Sequence, residues 1–366
     1  MTPESLQKHV GILMERIQKK PFIANELINT YIVSHKHFNS NDKREILDIV
    51  WRCVRAMARL KFAYPNDGWE ERVKHLMESG VPDVKNAPDN VKWEVPEWFL
   101  SHVPEAEKEL PALLENPPII LRAIGDRKMV QEVLHADGIE TTPTNLSPYG
   151  LVLPEYKNLT ATKAWQEGLI EIQDEGAQLL SLDIGVKPND TVFDFCAGAG
   201  GKSLIFAQMM NNKGLIWAYD ITAKKLFELV KRAKRAHIDI IEIQPQLPPP
   251  TKQFDYVVVD APCSSCGTWR RSPNMRWHLT EKQLGHIVQS QTEILNRAEA
   301  YVKENGRLVY ITCSLTTDEN EAQIEQFLSD HPNYKVIKQK RYSPYRTGTD
   351  GFFMCLMEKK INDFNL

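Results

Sequence analysis

The sequence predicts an α/β protein whose C-terminal half forms a doubly wound, mostly parallel sheet. Apolar residues recur at helical spacing over about the first 78 residues, and turn-forming residues cluster between 79 and 92. From about residue 165 onward, short apolar runs alternate with amphipathic stretches, which is typical of a parallel sheet covered by helices. We therefore expect a helical domain over 1–80, a linker over 81–92, a small α+β subdomain over 93–164 and a sheet domain over 165–366.

The composition is that of an ordinary globular protein. With 366 residues, of which 42% are hydrophobic and 25% charged, the chain is long enough for two or three domains. No apolar run approaches the roughly 18 residues of a membrane span, and Met1–Lys20 lacks the uncharged core of a signal peptide. Six irregularly spaced cysteines do not predict a disulfide framework. We expect a monomeric, cytoplasmic protein with reduced thiols.

The N-terminal region is predicted to be helical and basic on one face. Its first apolar stripe consists of Leu6, Val10, Leu13, Met14 and Ile17. A second amphipathic stretch begins near Asp42, and its polar face holds Lys43, Arg44, Arg52, Arg55 and Arg59, with Lys61 just beyond. This face is either solvated or in contact with phosphates, and the charge pattern alone favours the solvated alternative. The formal net charge of −3 gives no global indication of nucleic-acid binding.

The middle of the chain is predicted to hold one helix and the start of a small sheet. We expect the helix over Pro96–Leu114 and a strand over Ile119–Ala123. The parallel sheet beyond it is predicted from four apolar runs, which are Thr191–Phe195, Leu215–Tyr219, Tyr256–Val259 and Arg307–Thr312. No internal repeat accompanies them.

A glycine-rich loop follows the first of these strands. The stretch from Asp194 to Ser203 contains Gly198, Gly200 and Gly201 and leads into a helix predicted over Leu204–Met210. Glycines there let the backbone approach a ligand, with free amides at the helix start. A phosphate-binding P-loop would need glycine at the position of Cys196, so a P-loop nucleotide hydrolase is disfavoured.

Asp220 ends the second strand and is a candidate ribose ligand. An acid at this place accepts hydrogen bonds from the hydroxyl pair of an adenosine cofactor. Taken alone, Asp220 is equally explained as an N-cap of the basic helix predicted over Ala223–His237. The glycine loop before it favours the cofactor. The basic residues of that helix, Lys224, Lys225, Lys231, Arg232, Lys234 and Arg235, are expected on a solvated face.

Two cysteines follow two further strands. Cys263 lies just after the Tyr256–Val259 run, and Cys313 directly follows the Arg307–Thr312 run. Ligands of open parallel sheets bind beyond the carboxyl ends of the strands, so both thiols can converge on one substrate atom. A lone cysteine at such a place is more often a small buried hydrophobe.

These motifs together resemble the RNA (cytosine-5) methyltransferase family of the NOL1/NOP2/Sun type. The resemblance rests on the glycine loop, on the Asp260-Ala-Pro-Cys263 motif, on Thr312-Cys313-Ser314, and on the 50-residue interval between the two thiols. Gln173-Asp-Glu-Gly-Ala-Gln178, Glu319-Asn-Glu321 and Asp350-Gly-Phe-Phe also look like family elements. The N-terminal region is similar to the NusB-like domain of the bacterial, RsmB-like ribosomal RNA branch.

The resemblance implies a Rossmann-like S-adenosylmethionine-dependent core, an all-α NusB-like domain and a small RNA-recognition-like subdomain. It implies S-adenosyl-L-methionine as the cofactor, RNA as the partner and neither a metal nor a membrane. The implied substrate is a cytosine of 16S ribosomal RNA. Transfer RNA methylation and a catalytically silent RNA-binding assembly factor are the alternatives. The implied cofactor-binding residues are Cys196, Ala197, Gly198, Ala199, Gly200, Gly201, Lys202, Asp220 and Asp260.

The resemblance also implies separate roles for the catalytic residues. Carbon 5 of cytosine is a poor nucleophile, so a thiolate must first add to carbon 6. This role falls to Cys313, and assistance in releasing the product falls to Cys263. Asp260 is expected to hydrogen-bond the amino and ring-nitrogen edge of the base, and Lys202 to favour the thiolate.

Other features around the cysteines have a structural alternative. The spacing of Cys263 and Cys266 fits a C-x-x-C motif, but no second ligand pair supports zinc. Trp269, Arg270, Arg271, Arg276 and Trp277 suit RNA contact, with core packing as the alternative for the tryptophans.

Two positions depart from the family pattern. Ala199 occupies a place that is usually proline, and the acid expected after the third strand is missing. Its nearest substitutes are Asp239, Glu242 and Gln244.

Overall fold

The computed structural model describes residues 1–360, so the last six residues of the predicted sheet domain, 361–366, lie outside the described part. The chain forms two compact units. The first comprises Met1–Asn116 and Thr268–Leu284, and the second comprises Pro117–Gly267 with the chain from Gly285 onward. The four-part division predicted from the sequence remains a proposal.

The first unit is built from helices, as predicted. They are α1 (Pro3–Ile17), α2 (Ala24–Ser34), α3 (Ser40–Arg55), α4 (Met57–Ala63), α5 (Trp69–Ser79), α6 (Asp89–Lys92) and α7 (Ala106–Ala112), with 3-10 turns at Pro21–Ile23, Glu97–His102 and Pro273–Trp277. The predicted apolar stripe of α1 is buried in their common core. Helix α3 begins at a capping box, in which Asn39 accepts from the Asp42 backbone amide and Asp42 accepts from the Asn39 amide. Within residues 1–360, no helix is both long and apolar enough to cross a membrane.

The single helix predicted over Pro96–Leu114 is wrong. The structure has a 3-10 turn at Glu97–His102 and a separate α7, and Val103 between them is extended. Pro104 disfavours the helical conformation in the residue before it and has no N–H to donate. Glu105 then adopts a left-handed conformation with φ of 52°. Proline therefore overrides the helical periodicity at this position.

The segment after Cys266 packs into the first unit. Trp269 is fully buried and its ring lies 4.7 Å from that of Phe99, so core packing is confirmed for this residue. The Arg276 guanidinium is also buried and donates to the carbonyls of Glu94, Leu113 and Trp269. The expectation that Trp269 and Arg276 contact RNA is therefore wrong, because both side chains are buried inside the fold.

The second unit contains the predicted α/β core, a seven-stranded sheet. Its strands are β5 (Thr191–Asp194), β6 (Leu215–Ala218), β7 (Ile241–Ile243), β8 (Phe254–Asp260), β9 (Val302–Thr312), β10 (Tyr334–Tyr342) and β11 (Phe352–Lys359). They lie in the order β10-β11-β9-β8-β5-β6-β7. Strands β7, β6, β5, β8 and β9 are parallel, whereas β11 and β10 are antiparallel. All four sheet strands predicted from the sequence are confirmed.

Helices cover both faces of this sheet, which confirms the doubly wound architecture. Successive strand residues point to opposite faces, and Phe193 and Val192 accordingly belong to two different hydrophobic cores. The helices that accompany this sheet are α10 (Glu175–Ile184), α11 (Gly201–Met209), α12 (Ala223–Arg235), α13 (Glu281–Glu299), α14 (Glu321–Asp330) and α15 (Pro344–Thr347). The core containing Phe193 includes residues of α13 and α14, and the core containing Val192 includes residues of α10 and α11.

A second, smaller sheet belongs to the same unit. Its elements are β1 (Ile119–Ala123), α8 (Arg127–Ala136), β2 (Thr142–Pro143), β3 (Gly150–Leu153), α9 (Lys163–Gln166) and β4 (Ile170–Ile172). The β-α-β-β-α-β succession with strand order β2-β3-β1-β4 is the ferredoxin-like arrangement expected of an RNA-recognition-like module. The strand predicted at Ile119–Ala123 is confirmed.

Part of the basic face of α12 is not solvated. Arg232 and Arg235 form ion pairs with the buried carboxylate of Glu171 in β4. The expectation that these two residues lie on a solvated face is therefore wrong. A buried carboxylate requires a partner charge, and the two arginines supply it.

Candidate active site

The predicted functional residues meet beyond the carboxyl ends of the parallel strands. Asp194 ends β5 and pairs in register with Ala218 at the end of β6 and with Val258 in β8. Asp260 ends β8 and pairs with Ile311 near the end of β9. The glycine loop, Asp220, the Cys263 loop and the Cys313 loop therefore leave the same edge of the sheet.

The glycine loop adopts conformations that favour glycine. Gly198 and Gly200 have positive φ values of 54° and 83°. A Cβ on Gly200 would lie 2.1 Å from Cδ1 of Leu229, so α12 also excludes any side chain at this position. Ala199, which replaces the family's proline, has its carbonyl held by a 2.6 Å hydrogen bond from Arg232. The loop is thus fixed by α12 as well as by its own backbone.

Asp220 organises the far side of this loop. One carboxylate oxygen accepts from the Gly198 amide at 2.9 Å, and the other accepts from the Thr222 amide at 2.7 Å. Thr222, not Asp220, is the N-cap residue of α12. The N-cap alternative for Asp220 is therefore wrong, and each oxygen retains a lone pair for a ligand hydroxyl.

A cavity of about 290 Å³ lies between the loop, Asp220 and Asp260. Its lining residues are Asp194, Cys196, Ala197, Gly198, Ala199, Gly201, Lys202, Asp220, Lys225, Asp260 and Pro262. All predicted cofactor-binding residues line it except Gly200, which faces Leu229. Asp194, Lys225 and Pro262 were not predicted as ligands. The signal for Asp194 was present, since it immediately precedes the loop at the end of a buried strand.

None of the three substitutes for the missing third-strand acid lines the cavity. Glu242 instead accepts a 2.7 Å hydrogen bond from the indole of Trp217 on the neighbouring strand. Asp239 lies before β7, and its backbone amide donates to the side-chain oxygen of Asn212 at 3.0 Å. The cavity is therefore defined by the residues of the β5, β6 and β8 loops.

The carboxyl group of Asp194 has an unusual pKa. Burial raises its pKa to about 7, although Ser203 donates a 2.6 Å hydrogen bond to one oxygen. The other oxygen, Oδ1, is buried without a hydrogen-bond partner within the described residues. An unsatisfied buried acceptor beside a cavity is a place where a ligand donor or cation is stabilised.

Lys202 forms a salt bridge with Asp260 on the cavity wall. Its Nζ lies 2.6 Å from Oδ2 of Asp260, and the two side chains are 13% and 33% exposed. Burial opposes the charge on Lys202, but attraction to Asp260 and the hydrogen bond outweigh it, so the pKa of Lys202 is raised. Lys202 therefore stays protonated in the active centre.

The structure brings the two predicted cysteines together. Their Sγ atoms lie 3.2 Å apart, within hydrogen-bond range for sulfur, and both thiols are free. The hydrogen bond from Cys263 lowers the pKa of Cys313, with further help from Ser265 and from the charge of Lys202, against the effect of burial. The same interaction, together with burial, raises the pKa of Cys263. The Cys313 thiol therefore ionises more readily than the Cys263 thiol.

Glu319 fixes the two cysteine loops to each other, which sequence reasoning did not foresee. Its buried carboxylate accepts from the Ser264 amide at 2.7 Å and from the Ser264 hydroxyl at 2.5 Å. It also accepts from the hydroxyl of Ser314 at 2.5 Å. Ser264 follows Cys263 and Ser314 follows Cys313, so one carboxylate holds both neighbours. The sequence had singled out Glu319 only as part of the Glu319-Asn-Glu321 family element, without this role.

Cys266, the second cysteine of the C-x-x-C motif, is structural. Its Sγ is buried, accepts from the Leu315 amide at 3.0 Å and lies 3.2 Å from the Ser314 hydroxyl. Burial raises its pKa to about 11. Within residues 1–360, no group of three or more His, Cys, Asp or Glu side chains is arranged to hold a metal ion.

Comparison with known proteins identifies the family that the chain resembles. Residues 181–358 match the family described as 16S rRNA methyltransferase RsmB/F. The chain is 29% identical to the probable ribosomal RNA small subunit methyltransferase B of Bacillus subtilis, over 79% of this chain and 72% of the relative. It is 32% identical to the corresponding probable enzyme of Synechocystis, over 67% and 61%, and 30% identical to ribosomal RNA small subunit methyltransferase B of Proteus mirabilis, over 72% and 66%. The match thus spans about two thirds of the length of these relatives.

Two solved structures share the fold. The crystal structure of PH0851 superposes with a TM-score of 0.79 at 24% identity and covers 98% of this chain and 99% of its own. NSun6 from Pyrococcus horikoshii, solved with SFG, has a TM-score of 0.66 at 18% identity, over 75% of this chain and 99% of its own. At these identities the likeness concerns the fold.

Proposed function

Because the chain belongs to the RsmB/F family of S-adenosylmethionine-dependent methyltransferases, we propose that it methylates carbon 5 of a cytosine in 16S ribosomal RNA. The observation that carries the proposal is the 3.2 Å approach of Cys313 and Cys263 beside the Lys202–Asp260 ion pair. Two adjacent thiols of different acidity suit a reaction that needs a nucleophile first and a proton acceptor later.

The cavity beside the glycine loop fits the cofactor. Asp220 offers one oxygen to each hydroxyl of a ribose, and Gly198 and Gly201 leave the backbone open to close approach. The unpartnered Oδ1 of Asp194 suits a cationic or donor group of the ligand. When bound, S-adenosylmethionine supplies an electrophilic methyl group on a sulfonium centre.

Cys313 is the proposed nucleophile. Its thiolate adds to carbon 6 of the cytosine, forming a sulfur–carbon bond, and the electrons of the 5,6 double bond move toward carbon 5. The added electron density makes carbon 5 reactive toward the methyl group. A thiolate is required for this step, and the lowered pKa of Cys313 favours its formation.

Cys263 is proposed to act in product release. After methylation, carbon 5 carries one proton too many, and its removal allows the bond between carbon 6 and Cys313 to break, which restores the double bond. In the resting enzyme the hydrogen bond with Cys313 is the largest cause that raises the pKa of Cys263. Once the Cys313 sulfur is bonded to carbon 6 this hydrogen bond is lost, so Cys263 releases its own proton to solvent more readily, and the resulting thiolate accepts the proton from carbon 5.

Asp260 and Lys202 are proposed to position the base and hold the charge balance. Asp260 is only partly exposed and keeps one oxygen for the amino and ring-nitrogen edge of cytosine, while Lys202 neutralises its other side. The positive charge of Lys202 also stabilises the Cys313 thiolate. Removing either group would leave the other charge poorly compensated in a mostly buried site.

The proposed substrate, 16S ribosomal RNA, rests on the names of the relatives and of the family. The ferredoxin-like module of the second unit supports RNA recognition, since modules of this type bind single-stranded RNA on their sheets. We propose that the protein acts as a monomer in the cytoplasm, where this RNA is found.

The test is methyl transfer from labelled S-adenosylmethionine to ribosomal RNA from methylation-deficient cells. We expect the unmodified protein to label carbon 5 of a cytosine in the small-subunit RNA. Cys313→Ala should neither transfer methyl groups nor form a covalent complex, whereas Cys263→Ala should accumulate protein covalently bound to RNA. Absence of transfer by the unmodified protein would contradict the proposed function. Labelling of transfer RNA alone would contradict the assignment of ribosomal RNA as the substrate.

A further inference from the structure

The first compact unit carries a pocket lined by arginines, separate in the chain from the residues of the active site. The arginine pocket, a concavity of about 430 Å³, is lined by Arg44, Arg52, Arg55 and Arg271 together with Trp51 and Asp48. All these residues belong to the first unit, whereas Cys263 and Cys313 belong to the second.

The walls of the arginine pocket are held by the fold. Helix α3 supplies three of the arginines, and the segment after Gly267 supplies Arg271. That segment is anchored by Arg276, through three backbone carbonyls, and by Asn274, which donates to Pro21 at 2.8 Å. Arg55 donates to the carbonyl of Arg270 at 2.7 Å and so joins the two walls. The pocket is therefore preformed.

The charges of Arg44 and Arg55 in the pocket are not compensated by a carboxylate of the described residues. Asp48, a carboxylate of the pocket lining, lies 3.8 Å from Arg52 in an exposed i,i+4 pair. Neither Arg44 nor Arg55 has a carboxylate in salt-bridge range within residues 1–360. Gathering cations around one concavity costs free energy that an anionic ligand offsets.

The residue types indicate which anion fits. Guanidinium groups bind phosphate in a bidentate manner, and several on one helix can follow successive phosphates of a chain. Trp51 is half-buried in the same pocket and offers an aromatic surface next to the cations. Basic grooves that include an aromatic side chain are typical of single-stranded nucleic-acid sites.

We propose that the arginine pocket binds the phosphodiester backbone of single-stranded RNA, as an anchor for the substrate strand in addition to the catalytic site. The inference rests on the proposed RNA substrate, but it concerns affinity and not chemistry. The pocket holds the strand through its backbone and therefore contributes affinity without base specificity.

The test measures the affinity of the full chain for a fluorescently labelled single-stranded RNA by anisotropy over a series of salt concentrations, without cofactor. Replacing two arginines, as Arg44→Gln with Arg52→Gln, should weaken binding on the order of tenfold at moderate salt. It should also reduce the slope of log K against log salt by about 1.4, since each phosphate contact on a single strand contributes about 0.7. The matched control, Lys8→Gln with Lys74→Gln, removes two exposed charges from other helices of the same unit and should leave the slope unchanged.

A charge change of opposite sign provides the second arm. Asp48→Asn removes the pocket's carboxylate and should tighten RNA binding severalfold, whereas Glu45→Gln, on the same helix but outside the pocket, should not. Equal effects of pocket and control variants would overturn the proposal. If the protein binds RNA through the pocket but transfers no methyl group, the proposed function fails and this inference stands. If methyl transfer occurs but the pocket variants bind normally, the inference fails alone.

Discussion

The Sγ atoms of Cys263 and Cys313 lie 3.2 Å apart, at the ends of loops that follow two adjacent parallel strands. At this distance the two sulfurs interact by a hydrogen bond that lowers the pKa of Cys313 and raises that of Cys263. The pair thus combines two thiols of different acidity in one site.

Removing the Cys263 thiol should raise the pKa of Cys313. The thiolate loses the hydrogen bond that most lowers its pKa, so a higher pH is needed to ionise it. We expect the pH midpoint of Cys313 alkylation by iodoacetamide, followed by peptide mass spectrometry, to move upward in Cys263→Ala. Cys263→Ser keeps a donor and should move the midpoint less. An unchanged midpoint in both variants would show that the sulfurs do not interact.

Breaking the Lys202–Asp260 pair should cost stability. Lys202→Met leaves the Asp260 carboxylate without its 2.6 Å partner in a site that is mostly buried, and we expect a loss of about 2 kcal/mol, reduced by the partial exposure of Asp260. The double variant Lys202→Met with Asp260→Asn should recover part of this loss, because no charge is then left unpaired. Urea unfolding of the unmodified protein, the double variant and the two single variants, Lys202→Met and Asp260→Asn, gives the coupling free energy, and strictly additive losses would contradict the pairing.

Glu319→Gln should loosen the two cysteine loops. An amide cannot accept from Ser264 and Ser314 as the carboxylate does, and its own N–H groups face those hydroxyl donors. We expect a loss of about 2–4 kcal/mol, since hydrogen bonds to a buried charge are lost. Diamide should also form the Cys263–Cys313 disulfide more slowly.

The matched control is Glu325→Gln, an exposed acid on α14, the helix that follows Glu319. It should change neither the free energy of unfolding nor the rate of disulfide formation. Wild-type disulfide kinetics in Glu319→Gln would mean that the cysteines are positioned without this carboxylate.

Gly200→Ala should disrupt the cofactor loop. The new Cβ would lie 2.1 Å from Leu229, and the backbone has φ of 83°, which alanine rarely adopts. We expect the affinity for S-adenosylmethionine, measured by calorimetry, to fall at least tenfold. Gly201→Ala is the control for stability, because its Cβ would meet nothing closer than the Gln173 amide at 4.0 Å. Equal melting temperatures of the two variants would contradict the predicted clash between an alanine at position 200 and Leu229.

Asp194 should make stability depend on pH. Its pKa rises from 3.8 in the unfolded chain to about 7 in the fold, so between these values the folded protein binds the extra proton. Stability should therefore decrease as pH rises from about 4 to about 7, by as much as roughly 4 kcal/mol. Asp194→Asn, which retains the acceptor for Ser203, should abolish this part of the slope in urea unfolding without cofactor. Parallel pH profiles of the two proteins would rule out the assignment.

The sheet, the glycine loop and the positions of the two cysteines could be predicted from the sequence. Continuous apolar runs that alternate with helices predict a parallel sheet, because each strand of such a sheet is buried on both faces. Motifs at the ends of these strands converge at one edge. Asp220, Asp260 and Cys313 were therefore found from their positions in the chain. Local patterns also misled, as at Pro96–Leu114, where Pro104 breaks the expected helix.

How these groups act on one another depends on the folded structure. Which cysteine ionises more readily depends on the distance between loops 50 residues apart in the chain. The role of Glu319 depends on which hydroxyls it meets in the core, and Arg276 looked like an RNA ligand until its burial was known. Burial and hydrogen-bond partners are long-range properties of the packed chain. They set pKa values and charge balance, which spacing along the sequence does not encode.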